Sequence, residues 1–173
     1  GLIPILVDVE PEHLSMDPSQ LRKAITVKTK AIVVTHLFGH PAEMDVITSI
    51  ANDCGVPVIE DCAQSYDSYY EGRETGTFGW TSLFSCSLMK VPTTLGGGVL
   101  ITRDTELASK IRKLAEEQGC LTGVMGQVSY HLKGLVSILN SYPLLYSLLS
   151  HQVFGLIKKR NPTLLRRIFY AGM

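Results

Sequence analysis

The stretch "KAIVVTHLFGHPAEMDVITSIANDCGVPVIED", residues 30–61, carries the clearest prediction of the fold. Residues 30–38 are rich in β-branched side chains and predict a buried strand. The middle predicts a helix with one apolar face, formed by Met44, Ile47, Ile50 and Ala51. Gly55 follows where that helix should end, and residues 56–61 predict a second buried strand. A strand, a helix and a strand within about 30 residues favour a right-handed parallel unit, so we expect an α/β fold.

The segments on either side of this unit predict more of the same layers. Further strands are expected at residues 3–9, 81–85 and 96–102. Helices are expected at 15–25 and 104–119, where Asp17 and Asp104 are placed to cap the first turns. Helices that alternate with strands predict a doubly wound or related, mostly parallel sheet.

The composition is that of an ordinary globular domain. The chain has 173 residues, of which 45% are hydrophobic and 18% are charged, so neither a disordered chain nor a fibre is expected. Its 4 cysteines form no CxxC pair, and no group of histidines and cysteines has zinc spacing. We therefore expect no metal site and a cytoplasmic protein with reduced thiols.

The charges are unevenly spread although the net charge is zero. All 16 acidic residues lie within residues 1–117, whereas the charged residues of 118–173 are all basic. This asymmetry predicts an anionic contact for the C-terminal part. The zero net charge gives no reason to expect a nucleic-acid partner.

Glu60 and Asp61 end the second buried strand, and ligands of open α/β sheets bind beyond the carboxyl ends of strands. A carboxylate at this position can meet a cationic ligand. The alternative is a loop carboxylate that caps a neighbouring helix.

Lys90 is the only charged residue between Glu74 and Arg103. Burial disfavours the charged form of lysine and makes its amine a nucleophile that can form a Schiff base. The alternative is a loop lysine whose ammonium group reaches solvent. Ser85 lies five residues earlier, at the end of a predicted strand, where it could hold a phosphate or simply close a turn.

Several other residues are read as structural. His36 and His40 are interpreted as core or loop histidines rather than ligands. Cys62 and Cys86 lack a base that would activate them, so we expect packing roles for both thiols. Trp80 is expected to pack rather than to stack on a ligand. The glycines at 96–98 favour a tight turn over a phosphate cradle.

Taken together, these residues resemble the sugar aminotransferases of the DegT/DnrJ/EryC1/StrS family. The matching blocks follow the family in order and spacing over about residues 1–119, and they are 7–26, 29–45, 55–79, 83–90 and 96–104. The most specific part runs from Ile59 to Lys90, where EDxAQ, GxFG and FSxxxxK occur in register. The "VPTT" stretch after Lys90 departs from the family, in which an Asn-Leu pair usually follows this lysine.

The resemblance implies a fold and a set of roles. Residues 1–120 would form part of the three-layer α/β/α large domain of the fold type I enzymes that use pyridoxal 5'-phosphate (PLP), and 121–173 a helical C-terminal extension. Lys90 would form the internal aldimine with PLP, and Asp61 would pair with the pyridine nitrogen. Gln64 would contact the cofactor near its phenolic oxygen, and Ser85 would bind its phosphate.

The implied reaction moves an amino group from an amino acid, usually glutamate, to a keto group of a nucleotide-linked sugar, in a homodimer and in the service of polysaccharide biosynthesis. Two alternatives stay open. One is a PLP-dependent sugar dehydratase or another PLP reaction, although family dehydratases replace the lysine with histidine. The other is a non-catalytic or regulatory membrane-associated protein that retains the fold.

The resemblance also implies a longer protein. The start, "GLIPILVDV", lacks the marks of a signal peptide, and the family's N-terminal phosphate loop and C-terminal domain are not recognisable in this sequence. We therefore expect these 173 residues by themselves to bind PLP weakly or not at all.

The C-terminal segment poses a separate question. Residues 134–157 contain no Asp, Glu, Lys or Arg, and apolar residues recur there at helical spacing. A buried or dimer-contacting helical pair, broken near Pro143, is the first interpretation. An interfacial helix and a membrane-spanning helix are the others, and the basic residues that follow predict peripheral membrane contact through residues 134–167.

Overall fold

The computed structural model describes residues 1–87, 90–94, 96–118 and 124–147. The chain divides into two compact units, Gly1–Leu121 and Thr122–Met173, and each is described by itself. The predicted boundary between residues 120 and 121 lies outside the described residues and stays a prediction.

The first unit is built on a mixed sheet of four strands. Its helices are α1 (Pro18–Ala24), α2 (Met44–Cys54) and α3 (Thr105–Glu117), with a short 3₁₀ turn at Leu37–Gly39. Its strands are β1 (Ile32–Thr35), β2 (Val58–Asp61), β3 (Tyr69–Tyr70), β4 (Arg73–Glu74), β5 (Thr81–Ser85) and β6 (Gly98–Thr102). The sheet order is β1-β2-β5-β6, in which β1, β2 and β5 are parallel and β6 is antiparallel. The predicted α/β class and mostly parallel sheet are confirmed.

The central strand–helix–strand unit forms as the sequence predicts. The four residues of the predicted apolar face of α2 are all buried against the sheet, namely Met44, Ile47, Ile50 and Ala51. Gly55 ends the helix with φ 64°, a left-handed conformation that glycine adopts without steric cost. Ile32, Val34 and Val58 supply the sheet side of the same core. Val33 lies between Ile32 and Val34 on β1, points to the opposite face of the sheet and is 53% exposed. The helix α2 therefore covers one face of the sheet.

Three details differ from the expectations. The strand predicted at residues 3–9 is wrong: the apolar side chains from Leu2 to Leu6 are largely exposed, and only Val9 pairs, in an isolated bridge with Met16. The described residues offer this segment no neighbouring strand, and an unpaired strand leaves its backbone groups unsatisfied. The strand predicted at 30–38 ends earlier, at Thr35, because the chain turns sharply at Phe38.

The third difference is the β3–β4 hairpin, which the sequence reasoning missed. Each strand has only two residues, so no alternating pattern could develop. The signal was the turn itself: Glu71 and Gly72 both have positive φ, 48° and 79°, as a two-residue hairpin turn requires.

The capped helices were predicted correctly. The Asp17 side chain accepts a hydrogen bond from the Ser19 amide at the start of α1. The Asp104 side chain accepts from the Glu106 and Leu107 amides at the start of α3. These bonds satisfy amides that have no partner within the helix.

The second unit contains α4 (Val124–Ser141) and α5 (Pro143–Leu145). The predicted break near Pro143 is confirmed, since Tyr142 is extended between the two helices. Among the residues that the structure describes, none of the helices has the length and apolar character needed to cross a membrane. Residues 148–173, with all the lysines and arginines of the predicted membrane contact, lie outside the described residues.

Candidate active site

The carboxyl ends of β1, β2 and β5 meet at one edge of the sheet, and the predicted site residues lie at or beyond the ends of β2 and β5. Asp61 is the last residue of β2 and is in register with Thr35 and Leu83. Ser85 lies two residues beyond Leu83, so it faces the same side of the sheet, roughly 7 Å further along the strand. The structure therefore brings Asp61 and Ser85 to one face and one edge.

Asp61 is half-buried and keeps one oxygen available. Its Oδ1 accepts a hydrogen bond from the Ala63 amide at 3.0 Å, which orients the carboxylate at the strand end. Among the described residues, Oδ2 has no hydrogen-bond donor. Its backbone carbonyl accepts from the His36 amide at 3.1 Å, which ties β2 to the end of β1.

Gln64 is exposed three residues beyond Asp61. Its Oε1 accepts a hydrogen bond from the Phe38 amide at 3.3 Å. Because the oxygen is engaged, the two hydrogens of the side-chain amide are left for an acceptor outside the described residues. The 3₁₀ turn after β1 thus decides which end of the Gln64 amide is presented.

Ser85 is half-buried, and its Oγ accepts a long hydrogen bond from the Ser87 amide at 3.4 Å. This contact is the turn-closing geometry that the sequence left as an alternative. The hydroxyl hydrogen can still be donated to an anionic oxygen, so the contact is compatible with the phosphate role.

Lys90 is half-buried in the loop after β5, and its Nζ has no hydrogen bond or ion pair with the described residues. The loop is tied to itself through its backbone. The Lys90 amide donates to the Ser87 carbonyl at 2.9 Å, and the Thr94 amide donates to the Cys86 carbonyl at 3.0 Å. Thr93 Oγ1 also donates to the Ser87 carbonyl at 2.9 Å. The "VPTT" stretch therefore has a local role, since its two threonines close the loop that carries Lys90.

Glu60 is the residue whose importance the sequence reasoning missed. It is completely buried, on the sheet face opposite Asp61. Its carboxylate accepts three backbone hydrogen bonds, from the amides of Gly76 (2.7 Å), Phe78 (2.8 Å) and Gly79 (2.6 Å). The GxFG motif is thus a turn wrapped around the Glu60 carboxylate. The GxFG motif follows Glu60 by 16 to 19 residues, and its two glycines are the sequence signal for a tight turn around a buried acceptor.

His36 completes this buried group. The Ala42 amide donates to its Nδ1 at 3.1 Å, so Nδ1 carries a lone pair and Nε2 carries the hydrogen that is donated to Glu60 at 3.2 Å. The interpretation of His36 as a core histidine is confirmed, because its side chain is fully buried. Burial raises the pKa of the neighbouring Cys62 thiol to about 11, so this cysteine is an unreactive packing residue as predicted.

The same three side chains do not form a metal centre. The ligand atoms of His36, Glu60 and Cys62 lie within 4.8 Å of one another, and all three residues are buried. However, protein amides already occupy the His36 lone pair and both carboxylate oxygens, and the thiol is protonated. The cluster is better described as a hydrogen-bonded anchor.

Burial disfavours the charged form of Glu60, but the hydrogen bonds from His36, Gly79 and Gly76 outweigh it, and the pKa of Glu60 is lowered. A lowered pKa contributes stability that is complete above the ordinary value of 4.5 and is lost as the pH falls through the folded-state pKa.

Glu60→Ala should lower the free energy of unfolding of the full-length protein by about 3–5 kcal/mol, because it leaves the buried His36 ring and three half-buried amides without their acceptor. Urea unfolding measures the change. The variant should also lose less stability than the wild type as the pH falls below 4.5, because the Glu60 contribution is lost there as the pH passes through its lowered pKa. Glu106→Ala is the control, since that side chain is exposed on α3 and should change stability by less than about 1 kcal/mol. Equal effects of the two substitutions would contradict the anchoring role.

Gly79→Ala should be destabilising for a different reason. A Cβ at Gly79 would lie 2.7 Å from the Val58 carbonyl oxygen and 3.3 Å from Glu60 Oε1. We expect a loss of about 1–3 kcal/mol or more, measured by thermal unfolding. At Gly55 a Cβ would meet open space, so Gly55→Ala should cost only the left-handed strain of about 1–2 kcal/mol. A smaller effect at Gly79 than at Gly55 would argue against a close-packed turn.

The remaining interpretations concern Trp80 and the glycines. Trp80 directly precedes β5, at the opposite edge of the sheet from Lys90, so it is not placed to stack on a ligand there. Gly97 has φ 84°, and a Cβ at Gly98 would lie 2.7 Å from the Phe84 carbonyl oxygen. The tight-turn interpretation is therefore confirmed.

The polar groups at this edge suit PLP. It offers a carboxylate for a pyridinium nitrogen, a hydroxyl for a phosphate, an amide N–H for a phenolate oxygen and an amine for an aldehyde. The Asp61 Oδ2, the Gln64 amide hydrogens and the Lys90 Nζ have no partners among the described residues, so each is available to such a ligand.

Comparison with known proteins places the chain in a family. The model of the DegT/DnrJ/EryC1/StrS aminotransferase family matches residues 1–138. The chain is 40% identical over 121 residues to L-glutamine:2-deoxy-scyllo-inosose aminotransferase of Streptomyces paromomycinus, a match that covers 70% of this chain and 28% of that protein. It therefore spans less than a third of the length of this relative.

Two solved structures show the same fold. An aminotransferase from Psychrobacter cryohalolentis is 38% identical with a TM-score of 0.60, over 62% of this chain and 27% of the other. DesI, solved in the presence of its TDP-sugar product, is 33% identical with a TM-score of 0.64, over 67% of this chain and 30% of the other. These neighbours confirm the predicted fold type I architecture. From the family match and these likenesses, the chain belongs to the DegT/DnrJ/EryC1/StrS aminotransferase family.

Proposed function

We propose that the full-length protein is a PLP-dependent aminotransferase that moves an amino group from glutamate to a keto group of a nucleotide-linked sugar, as a homodimer in the cytoplasm. The observation that supports this proposal is the placement, at or just beyond the carboxyl ends of the neighbouring parallel strands β2 and β5, of Asp61, Gln64, Ser85 and Lys90. A structural role would not require an acid, an amide, a hydroxyl and an amine at or just beyond the ends of two neighbouring strands.

Each side chain has a defined task in this proposal. PLP, when bound, supplies a ring that accepts electrons from the carbon of the substrate that loses its proton. The Asp61 carboxylate keeps the pyridine nitrogen protonated, and the Ser85 hydroxyl donates to the phosphate. Lys90 would hold the aldehyde carbon through Nζ, with loss of one water molecule, and once freed by the substrate amine it would move a proton between the substrate and cofactor carbons.

The lysine favours amino transfer over the dehydratase alternative. In family dehydratases a histidine replaces this residue, whereas this chain has Lys90 in a loop closed by its own backbone. The non-catalytic alternative explains neither the available Nζ of Lys90 nor the available oxygen of Asp61.

The acceptor has two candidates. DesI was solved with a TDP-sugar as its product, and this likeness supports the nucleotide-linked sugar. The Streptomyces paromomycinus relative is named for an inosose acceptor and for L-glutamine as donor, which favours a ring ketone without a nucleotide as the second candidate.

An amination assay with the full-length protein and PLP tests the proposal. Each donor, glutamate or glutamine, is paired with each acceptor, a TDP-linked keto sugar or 2-deoxy-scyllo-inosose, and the product is detected by mass spectrometry. Amination of the TDP-linked sugar supports the first candidate, and amination of the inosose alone supports the second. A protein that binds PLP but aminates neither ketone would contradict both, and reactions without a donor are the blank.

A further inference from the structure

We propose that the buried Glu60–His36 pair is a positioning device for Gln64, which acts through the turn after β1 to aim the Gln64 amide hydrogens at the cofactor. The inference rests on the proposed function, because Gln64 needs a bound acceptor to donate to. Neither residue of the pair touches the reacting atoms, so both are positioning residues.

The first step is the anchor. Glu60 is fully buried, and the three amides of the 76–79 turn engage both of its carboxylate oxygens. The His36 Nε2 hydrogen is the fourth donor, at 3.2 Å. A charged acceptor with four donors is a rigid reference point for whatever binds it.

The second step is the link from the anchor to the turn. The His36 ring is bonded on both sides, to Glu60 through Nε2 and to the Ala42 amide through Nδ1. Its backbone amide donates to the Asp61 carbonyl at 3.1 Å. The 36–42 segment is therefore attached at its first and last residues to one buried imidazole.

The third step is the shape of the turn. Phe38 has φ 54° and ψ 27°, a left-handed conformation that costs a bulky residue free energy, and Gly39 follows with φ 80°. The Phe38 side chain is 71% exposed in the described chain, so its own packing does not hold this conformation. The His40 amide closes the turn locally by donating to the Leu37 carbonyl at 2.9 Å, and the attachment through His36 and the Gln64 contact tie the turn to the rest of the fold.

The fourth step is the consequence for Gln64. The Phe38 amide, within this left-handed turn, donates to Gln64 Oε1, and this bond leaves the amide hydrogens without an acceptor among the described residues. If the turn relaxed, the Gln64 side chain could rotate and present its oxygen instead. An oxygen would repel a phenolate, so the orientation matters for the cofactor and not only for the fold.

The test measures the absorption spectrum of the PLP-loaded full-length protein as a function of pH. Removing one hydrogen bond to a charged oxygen should move the pH at which the cofactor's absorption band is half changed by about one pH unit. Gln64→Ala removes that bond directly, so its shift in this pH midpoint is the reference for the other variants. His36→Asn keeps an acceptor for the Ala42 amide but cannot reach Glu60, and we expect a shift in the same direction as for Gln64→Ala. The double variant should shift no further than Gln64→Ala alone.

Two further variants separate positioning from stability. His36→Gln can still donate to Glu60 and should restore most of the wild-type midpoint. Ile47 is a buried core residue of α2, so Ile47→Ala should lower the melting temperature without moving the pH midpoint of the cofactor band. If His36→Asn does not fold, Glu60→Gln is compared in the wild-type and Gln64→Ala backgrounds in the same way.

The outcomes are distinct. Additive shifts in the double variant, or a loss of stability in His36→Asn with an unchanged midpoint, would overturn the inference while the proposed function stands. A wild-type protein that forms no cofactor band would overturn the proposed function, and the inference with it.

Discussion

Replacing Lys90 with alanine in the full-length protein should abolish borohydride-stable attachment of PLP and lower turnover by about 10⁴-fold, the upper range for a positioned general base. The reason is that one Nζ serves two purposes, as the covalent partner of the aldehyde and as the carrier of the proton. Borohydride reduction followed by peptide mapping identifies the labelled residue, and steady-state kinetics measure the turnover.

Two controls make the Lys90 result specific. Lys90→Arg keeps the positive charge but cannot form the covalent bond, so it should fail in the same way as alanine. Lys110→Ala removes an exposed lysine of α3 that pairs with Glu106, and it should leave both labelling and turnover unchanged. A label on any lysine other than Lys90 would contradict the assignment.

The second large effect is expected for Asp61→Asn, which should lower turnover by about 10²- to 10³-fold. Asparagine has nearly the same shape, and its Oδ1 can still accept the hydrogen bond from the Ala63 amide. What is lost is the negative charge that keeps the pyridine nitrogen protonated, so the cofactor becomes a weaker electron acceptor.

The matched control for Asp61 is Asp53→Asn. Asp53 is exposed near the end of α2, where it pairs with Arg22, and its loss of charge should not affect turnover. The melting temperatures of both variants should stay close to the wild type, since neither substitution changes side-chain volume. Similar turnover of Asp61→Asn and the wild type would show that the carboxylate does not face the pyridine nitrogen.

Local patterns predicted a large part of the fold because each depends on near neighbours in the chain. The apolar face of α2 follows from helical spacing, and its end follows from the left-handed tolerance of Gly55. The Asp17 and Asp104 caps are bonds between residues two or three positions apart. Such features need no knowledge of the rest of the molecule.

The failures of sequence reasoning involve partners that are distant in the chain. Residues 3–9 have the composition of a strand, but a strand exists only where another strand can pair with it. Glu60 resembles Asp61 in the sequence as a second strand-end carboxylate. Its partners lie 16 to 24 residues away, so no local pattern could separate an anchor from a cofactor ligand.

The α/β class and the caps and ends of the helices follow from the sequence, and so does the placement of the four candidate site residues at or beyond the ends of two strands. Side-chain periodicity, helix capping and the rule that parallel strands end together are properties of adjacent residues and of strand direction. The tertiary structure decided which of two consecutive carboxylates is buried and which is available. It also decided which end of the Gln64 amide is presented. Both depend on the pleat of β2, which sends Glu60 to the core and Asp61 to the other face, and on the turn at Phe38, which only the packed sheet brings beside Gln64.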